Sequence, residues 1–281
     1  MAANLVYQSP TLQVLDYVCE AGPGDVPFSE VHASYCLAFV RRGSFGYAHR
    51  GRRHELVSGS LLLGAPDDEF CCTHEHHAGG DECLSIHFGE ELATELNRDL
   101  RVWGRGQASP LPELMVLGVL AQAAHQGDTA ISLEEAALLL LSRYTELHRE
   151  RPESSRKDSA RDRKHAVDAA LWLNERSSEE LCLNDVAAEI GLSSYHFLRV
   201  FSRVIGVTPH QYLLRCRLAH AARLLTEEAR PITEIALDVG FADLSNFVRT
   251  FRRAAGASPR AFRKAAHGDR KILQERLARL T

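Results

Sequence analysis

The chain has 281 residues, 45% hydrophobic and 25% charged, with a formal net charge of −4. Those values describe an ordinary globular protein of about two domains and exclude a disordered or collagen-like chain. No apolar run approaches the ~20 residues of a membrane span, and no basic stretch followed by an apolar core opens the chain. The seven cysteines are irregularly spaced, so free thiols in a cytoplasmic protein are expected rather than a disulfide framework.

From Leu12 to about Phe88 the pattern is β. Strands are expected near 12–14, 35–40, 45–49, 54–57 and 61–64, with glycine turns at 41–44, 50–52 and 58–59 between them. Short, closely spaced strands of this kind point to a barrel or a sandwich.

Phe70-Cys71-Cys72-Thr73-His74-Glu75-His76-His77 precedes Asp81-Glu82-Cys83-Leu84-Ser85-Ile86-His87. On a strand, Cys72, His74 and His76 point to one face at period two. An adjacent antiparallel strand would bring Cys83 or His87 opposite. Thiolate and imidazole together suit a zinc-like divalent metal. The spacing matches no standard zinc pattern, and loop histidines with half-buried cysteines need no metal. Both readings stay open, as does a small organic effector inside the β domain.

Residues 111–125 and 133–147 carry apolar side chains at three- and four-residue spacing and are expected to be helices. Their apolar surface suits packing on the β domain or a dimer interface. Residues 151–164 contain almost no apolar side chain and are expected to be a linker.

The remainder repeats itself. Asp185-Val186-Ala187-Ala188-Glu189-Ile190-Gly191 is echoed by Glu234-Ile235-Ala236-Leu237-Asp238-Val239-Gly240. Each copy then runs through an aromatic-bearing helix to Gly206-Val207-Thr208-Pro209 or Gly256-Ala257-Ser258-Pro259. The copies are offset by 49 residues at the first glycine and 50 at the proline. Each reads as a helix, a glycine stop and a second helix capped by Ser193 or Ser194, and by Asp243. Pro209 opens a long helix expected to reach Leu225 and to fix the separation of the two units. Trp172 belongs in the core of a first helix spanning 165–177. Beyond Asp243 the charges are Arg249, Arg252, Arg253, Arg260, Arg263 and Lys264, a basic face hidden by the acidic total.

These motifs, above all Ile235 to Phe241, Phe247, Phe251 and Ser258-Pro259, resemble the AraC/XylS family of transcription regulators over residues 164–264. The order of the N-terminal strands is similar to the cupin-like sensor domain found upstream in such regulators. The resemblance implies an α+β chain of two domains. Residues 1–150 would form a cupin-like β-barrel with flanking helices for effector sensing and dimerisation, and 151–164 a linker. Residues 165–266 would form an all-α tandem helix-turn-helix domain, and 267–281 a helical tail. It further implies double-stranded DNA as partner, RNA polymerase as a second, a small-molecule or metal effector, a homodimer, and no enzymatic activity.

On the two recognition helices, Tyr195, Arg199, Ser245, Asn246 and Arg249 are expected at base edges, where asparagine suits adenine and arginine suits guanine. The resemblance places Leu198 toward the same groove, where a methyl contact at most is expected. Arg203, Arg252, Arg253 and Arg263 are expected at phosphates. The rival class is an enzyme joined to a DNA-binding domain. A cupin-type oxygenase would need His74, His76 and Glu82 to form an open two-histidine, one-carboxylate site. A DNA-alkylation repair protein would need a reactive cysteine in a Pro-Cys-His context, which the chain lacks.

Overall fold

A computed structural model describes residues 2–27, 29–77, 79–148, 158–227 and 229–268. The first part is a β domain of β1 (Ala2–Gln8), β2 (Leu12–Cys19), β3 (Ser29–Val31), β4 (Tyr35–His49), β5 (Arg52–Val57), β6 (Leu61–Gly64), β7 (Glu69–Thr73), β8 (Asp81–Phe88) and β9 (Gln107–Ala108). One ladder runs β1-β2-β8-β4-β6-β9, and a second joins β3, β7 and β5 to the far half of β4. Every pairing is antiparallel.

The turn expected at 41–44 does not form. β4 runs through it, and its pairing with β8 slips between Val40 and Arg42. Gly43, at φ +72°, lies so close to the neighbouring loop that a Cβ would meet the Gly80 carbonyl oxygen at 2.0 Å. The slip leaves Arg41 as the extra, bulged residue, and from Ser44 onward β4 pairs with β5 instead of β8. The sheet path does not return on itself, so the closed cupin-like barrel gives way to an open sheet folded over through β4.

Two helices follow as expected, α2 (Pro112–Gln126) and α3 (Leu133–Leu147), after a short α1 (Glu90–Leu96) and a 3-10 turn (Leu100–Arg105). The second part is helical: α4 (Ala160–Glu175), α5 (Leu183–Glu189), α6 (Ser194–Ile205), α7 (Pro209–Glu227), α8 (Ile232–Asp238), α9 (Leu244–Ala255) and α10 (Pro259–Ala266). α4 starts inside the stretch expected to be a tether, because Ser159 caps it by accepting from the Asp162 amide. The rest of that linker to 157, and nearly all of the expected tail, lie outside the described residues.

The apolar surplus of α2 is spent on the second part of the chain. α2 packs on α3 and β4, and also on α7 and α9. One buried cluster runs from Leu37 and Phe39 of the sheet, through Leu114 and Leu120, to Leu218, Leu225, Phe247 and Phe251. Polar ties cross the same boundary. The Tyr212 hydroxyl donates to the Ser58 carbonyl at 3.1 Å, and the Ala130 amide donates to the Ala266 carbonyl at 2.7 Å.

Candidate functional site

Each helix-turn-helix is built as its sequence requires. Gly191 and Gly240 take φ of +68° and +92°, ending α5 and α8 in the left-handed region. The Ser193 hydroxyl accepts from the His196 amide at 3.4 Å, and Asp243 accepts from the Asn246 amide at 2.7 Å. Phe197, Val200 and Phe201 are buried, as are Phe247 and Phe251. The rings of Phe197 and Phe201 meet edge to face at 5.5 Å, and Phe251 meets Phe262 the same way at 5.3 Å. Aromatic cores fix each helix in rotation and leave the other face to solvent.

On α6 that outer face carries Tyr195, 70% exposed, and the exposed Arg199, whose guanidinium lies 5.7 Å above the tyrosine ring. On α9 it carries the exposed Ser245 and Arg249. Asn246 is half-buried, and its side-chain oxygen accepts from Arg249 at 3.1 Å and Thr250 at 3.3 Å. Arg252 and Arg253 are exposed. Arg203 instead ion-pairs with Asp158 and, at 2.7 Å, with Asp162 of α4. Arg263 is half-buried, with Nε and one terminal nitrogen shielded and unpartnered, and burial lowers its pKa.

The β domain forms a half-open cavity of about 510 Å³ lined by both ladders. His32 is buried there, stacked on Phe70 at 4.1 Å with its Nε2 2.8 Å from the Tyr47 hydroxyl. Burial lowers its pKa to about 4. The same desolvation raises the thiols of Cys19 and Cys72, and holds Cys83 well above the usual range.

The Cys/His cluster read from sequence is only partly assembled. β7 ends at Thr73, so His74 and His76 leave the strand and do not share the face of Cys72. β7 pairs with the far half of β4, not with β8, so Cys83 and His87 are not brought opposite by a hairpin. His87 borders the cavity but is held by Ser34 and Ser85 at 3.3 and 2.9 Å. His76 sits in the turn, its ring 6.4 Å from that of His77. Glu82 binds Arg41 at 2.9 Å and Arg42 at 3.1 Å, so the oxygenase triad is not brought together.

His74 finds two partners the spacing did not offer. Its Nε2 lies 3.7 Å from Cys19 Sγ and 3.4 Å from an Asp81 carboxylate oxygen. Cys19 and Asp81 are register partners at the end of the β2–β8 ladder. Nothing in the sequence marks Cys19, because that pairing depends on register alone.

A family model described as a helix-turn-helix domain matches residues 186–265, which spans both units. The HTH-type transcriptional activator RhaS of Salmonella arizonae is 32% identical over 161 residues, 57% of this chain and 56% of that protein. The melibiose operon regulatory protein of Escherichia coli K12 is 34% identical over 93 residues, 33% of this chain and 31% of that one. Among solved structures, a Chromobacterium violaceum transcriptional regulator with an AraC-type DNA-binding domain is 27% identical. It covers 40% of this chain and 99% of its own, with a TM-score of 0.37. The chain thus spans between about a third and just over half of these curated relatives.

Proposed function

We propose, from the premise that this chain carries an AraC-type helix-turn-helix domain at its C-terminal end, that it is a sequence-specific, ligand-responsive transcription regulator. The observation that carries the reading is the pair of equivalent helices, α6 and α9. Both are locked by buried phenylalanines and both present an arginine outward at the same place. α7 joins the units; its 19 residues make a rod of about 28 Å, comparable to the roughly 34 Å of one DNA turn.

In this reading Arg199 and Arg249 bind guanine edges, with Tyr195, Ser245 and Asn246 beside them, each good pair contributing about 1–3 kcal/mol of discrimination. Asn246 must exchange its contacts to Arg249 and Thr250 for a base. Arg252 and Arg253 take phosphates; Arg203 does so only by leaving Asp158 and Asp162, and Arg263 only by turning outward.

The effector occupies the β-domain cavity. The β domain and its helices hold both units, through Arg163 Nε 2.7 Å from Glu55 and through Ala130 on Ala266. A ligand that shifts the β domain therefore biases how the units are presented. A homodimer would read repeated half-sites and engage RNA polymerase. No catalytic step is part of this reading.

Genome-wide mapping of bound DNA, with wild type, Arg199→Ala and Arg249→Ala, tests it. Each substitution is expected to relax preference at one or two base positions within a shared motif. Uniform loss across all sites would reduce the arginines to phosphate contacts, and a wild-type protein that ignores DNA at low salt would end the reading.

A further inference from the structure

We infer that Cys19, His74 and Asp81 form a binding site for a divalent transition metal of the zinc class, opening onto the β-domain cavity. The three ligand atoms lie within 4.8 Å of one another, and His74 and Asp81 are each only 9% exposed. The donor set and its spacing fit such an ion.

Two features separate this group from an ordinary hydrogen-bonded cluster. The first is convergence on one atom. Cys19 Sγ and the Asp81 carboxylate both approach the same ring nitrogen, His74 Nε2. A nucleophile–base–acid relay needs the two partners on different ring nitrogens. One N–H can serve a thiol and a carboxylate together only as a three-centre bond, weaker toward each than a bond made alone. A cation placed among the three atoms satisfies all of them.

The second feature is distance. The His74–Asp81 separation of 3.4 Å exceeds the usual N–H···O range. Metal–ligand lengths of about 2.3 Å for sulfur and about 2.0–2.1 Å for nitrogen or oxygen, set at tetrahedral angles, predict edges of about 3.6 Å for S···N and about 3.4 Å for N···O. The two edges that meet at His74 Nε2 are 3.7 and 3.4 Å, and the third, from Cys19 to Asp81, is within 4.8 Å.

The backbone enforces the arrangement. Gly80, at φ +71°, lies against β2 so closely that a Cβ would meet the Cys19 carbonyl oxygen at 2.1 Å. Only glycine lets the loop deliver Asp81 beside Cys19. The Cys83 thiol donates to the other Asp81 oxygen at 3.6 Å and so helps hold the carboxylate, and Cys72 borders the same cavity. Loading the ion exchanges the Cys19 S–H proton, released to solvent, for a metal–sulfur bond. One thiolate with imidazole and carboxylate favours zinc or cobalt over calcium or magnesium.

The metal's role as the regulatory signal rests on the DNA-binding reading, whereas the site itself does not. The test is therefore made without DNA, on the reduced, metal-stripped full chain. Titration with Co2+ followed by optical absorption should show one equivalent bound, with a thiolate-to-cobalt charge-transfer band that Zn2+ displaces. Cys19→Ser should abolish the band, and Asp81→Asn should weaken binding at least ~100-fold, since even outer-shell losses cost ten- to a hundredfold. Cys71→Ser and His76→Gln should leave binding unchanged. A wild-type protein with no band overturns the assignment, as does a band that survives in Cys19→Ser. Should Cys19→Ser fail to fold by circular dichroism, Asp81→Asn decides alone: undiminished affinity overturns the site.

Discussion

His32 shows what burial does to a single titratable side chain. Desolvation, with the neighbouring His49 and His87, lowers its pKa from 6.5 to about 4. Below about pH 6.5 the unfolded chain takes up a proton that the folded chain refuses. Stability is therefore full above that pH and falls as pH drops toward 4. The whole window corresponds to about 3 kcal/mol for this one residue. His54 and His87 are lowered to about 4 by the same cause and act in the same direction. The urea midpoint should fall steeply between pH 7 and 4.5, and His32→Gln should flatten that slope whatever it does to stability at pH 7. An unchanged slope would mean that His32 is protonated in the folded state. None of this was legible in the sequence, since His32 stands in no motif and its neighbours Tyr47 and Phe70 come from strands distant along the chain. Cys19 was missed for a related reason: strand register decides its partner, and register leaves no local mark.

At the scale of elements, local chemistry was the readable part. The glycine stops, the Ser193 and Asp243 caps and the helices at 112–126 and 133–147 follow from neighbours within four residues, and all are present. Gly43 suits a turn by sequence but lies within β4, paired with Asp81 just beyond a bulge at Arg41, because a positive-φ glycine is allowed in both settings and only the ladder around it chooses. The same limit hid the contact between β5 and α4. Glu55, 5% exposed at its side chain, sits between His77 Nε2 at 2.8 Å and Arg163 Nε at 2.7 Å. His77 Nδ1 in turn lies 2.8 Å from the Ser44 hydroxyl. The loop carrying His74 is thereby joined, through Glu55, to α4, the first helix of the helical part. Breaking a buried ion pair from one side leaves a charge without its partner, at a cost of roughly 3–5 kcal/mol. Arg163→Met should therefore lose about 3 kcal/mol in urea unfolding. A loss below about 1 kcal/mol would mean that water already screens the pair, and that this contact cannot transmit a change in the loop.

For the whole molecule, length and a polar linker suggested two bodies on a tether, yet the described residues share a core. Leu114, Leu117, Leu120 and Ala121 of α2 belong to the same buried cluster as Leu218, Ala221 and Leu225 of α7. Each large aliphatic side chain withdrawn from water contributes about 1.5–3 kcal/mol, so parting the two halves would expose several such side chains at once. That sum rivals the roughly 5–15 kcal/mol of a typical folded domain. Neither half should then outlast the other on heating. Differential scanning calorimetry of the intact chain should give one transition, with calorimetric and van't Hoff enthalpies in agreement. Two resolved transitions would show that the halves unfold independently. In that case the cluster along α2 and α7 contributes little coupling energy, and a ligand in the β-domain cavity would have no mechanical purchase on α6 and α9.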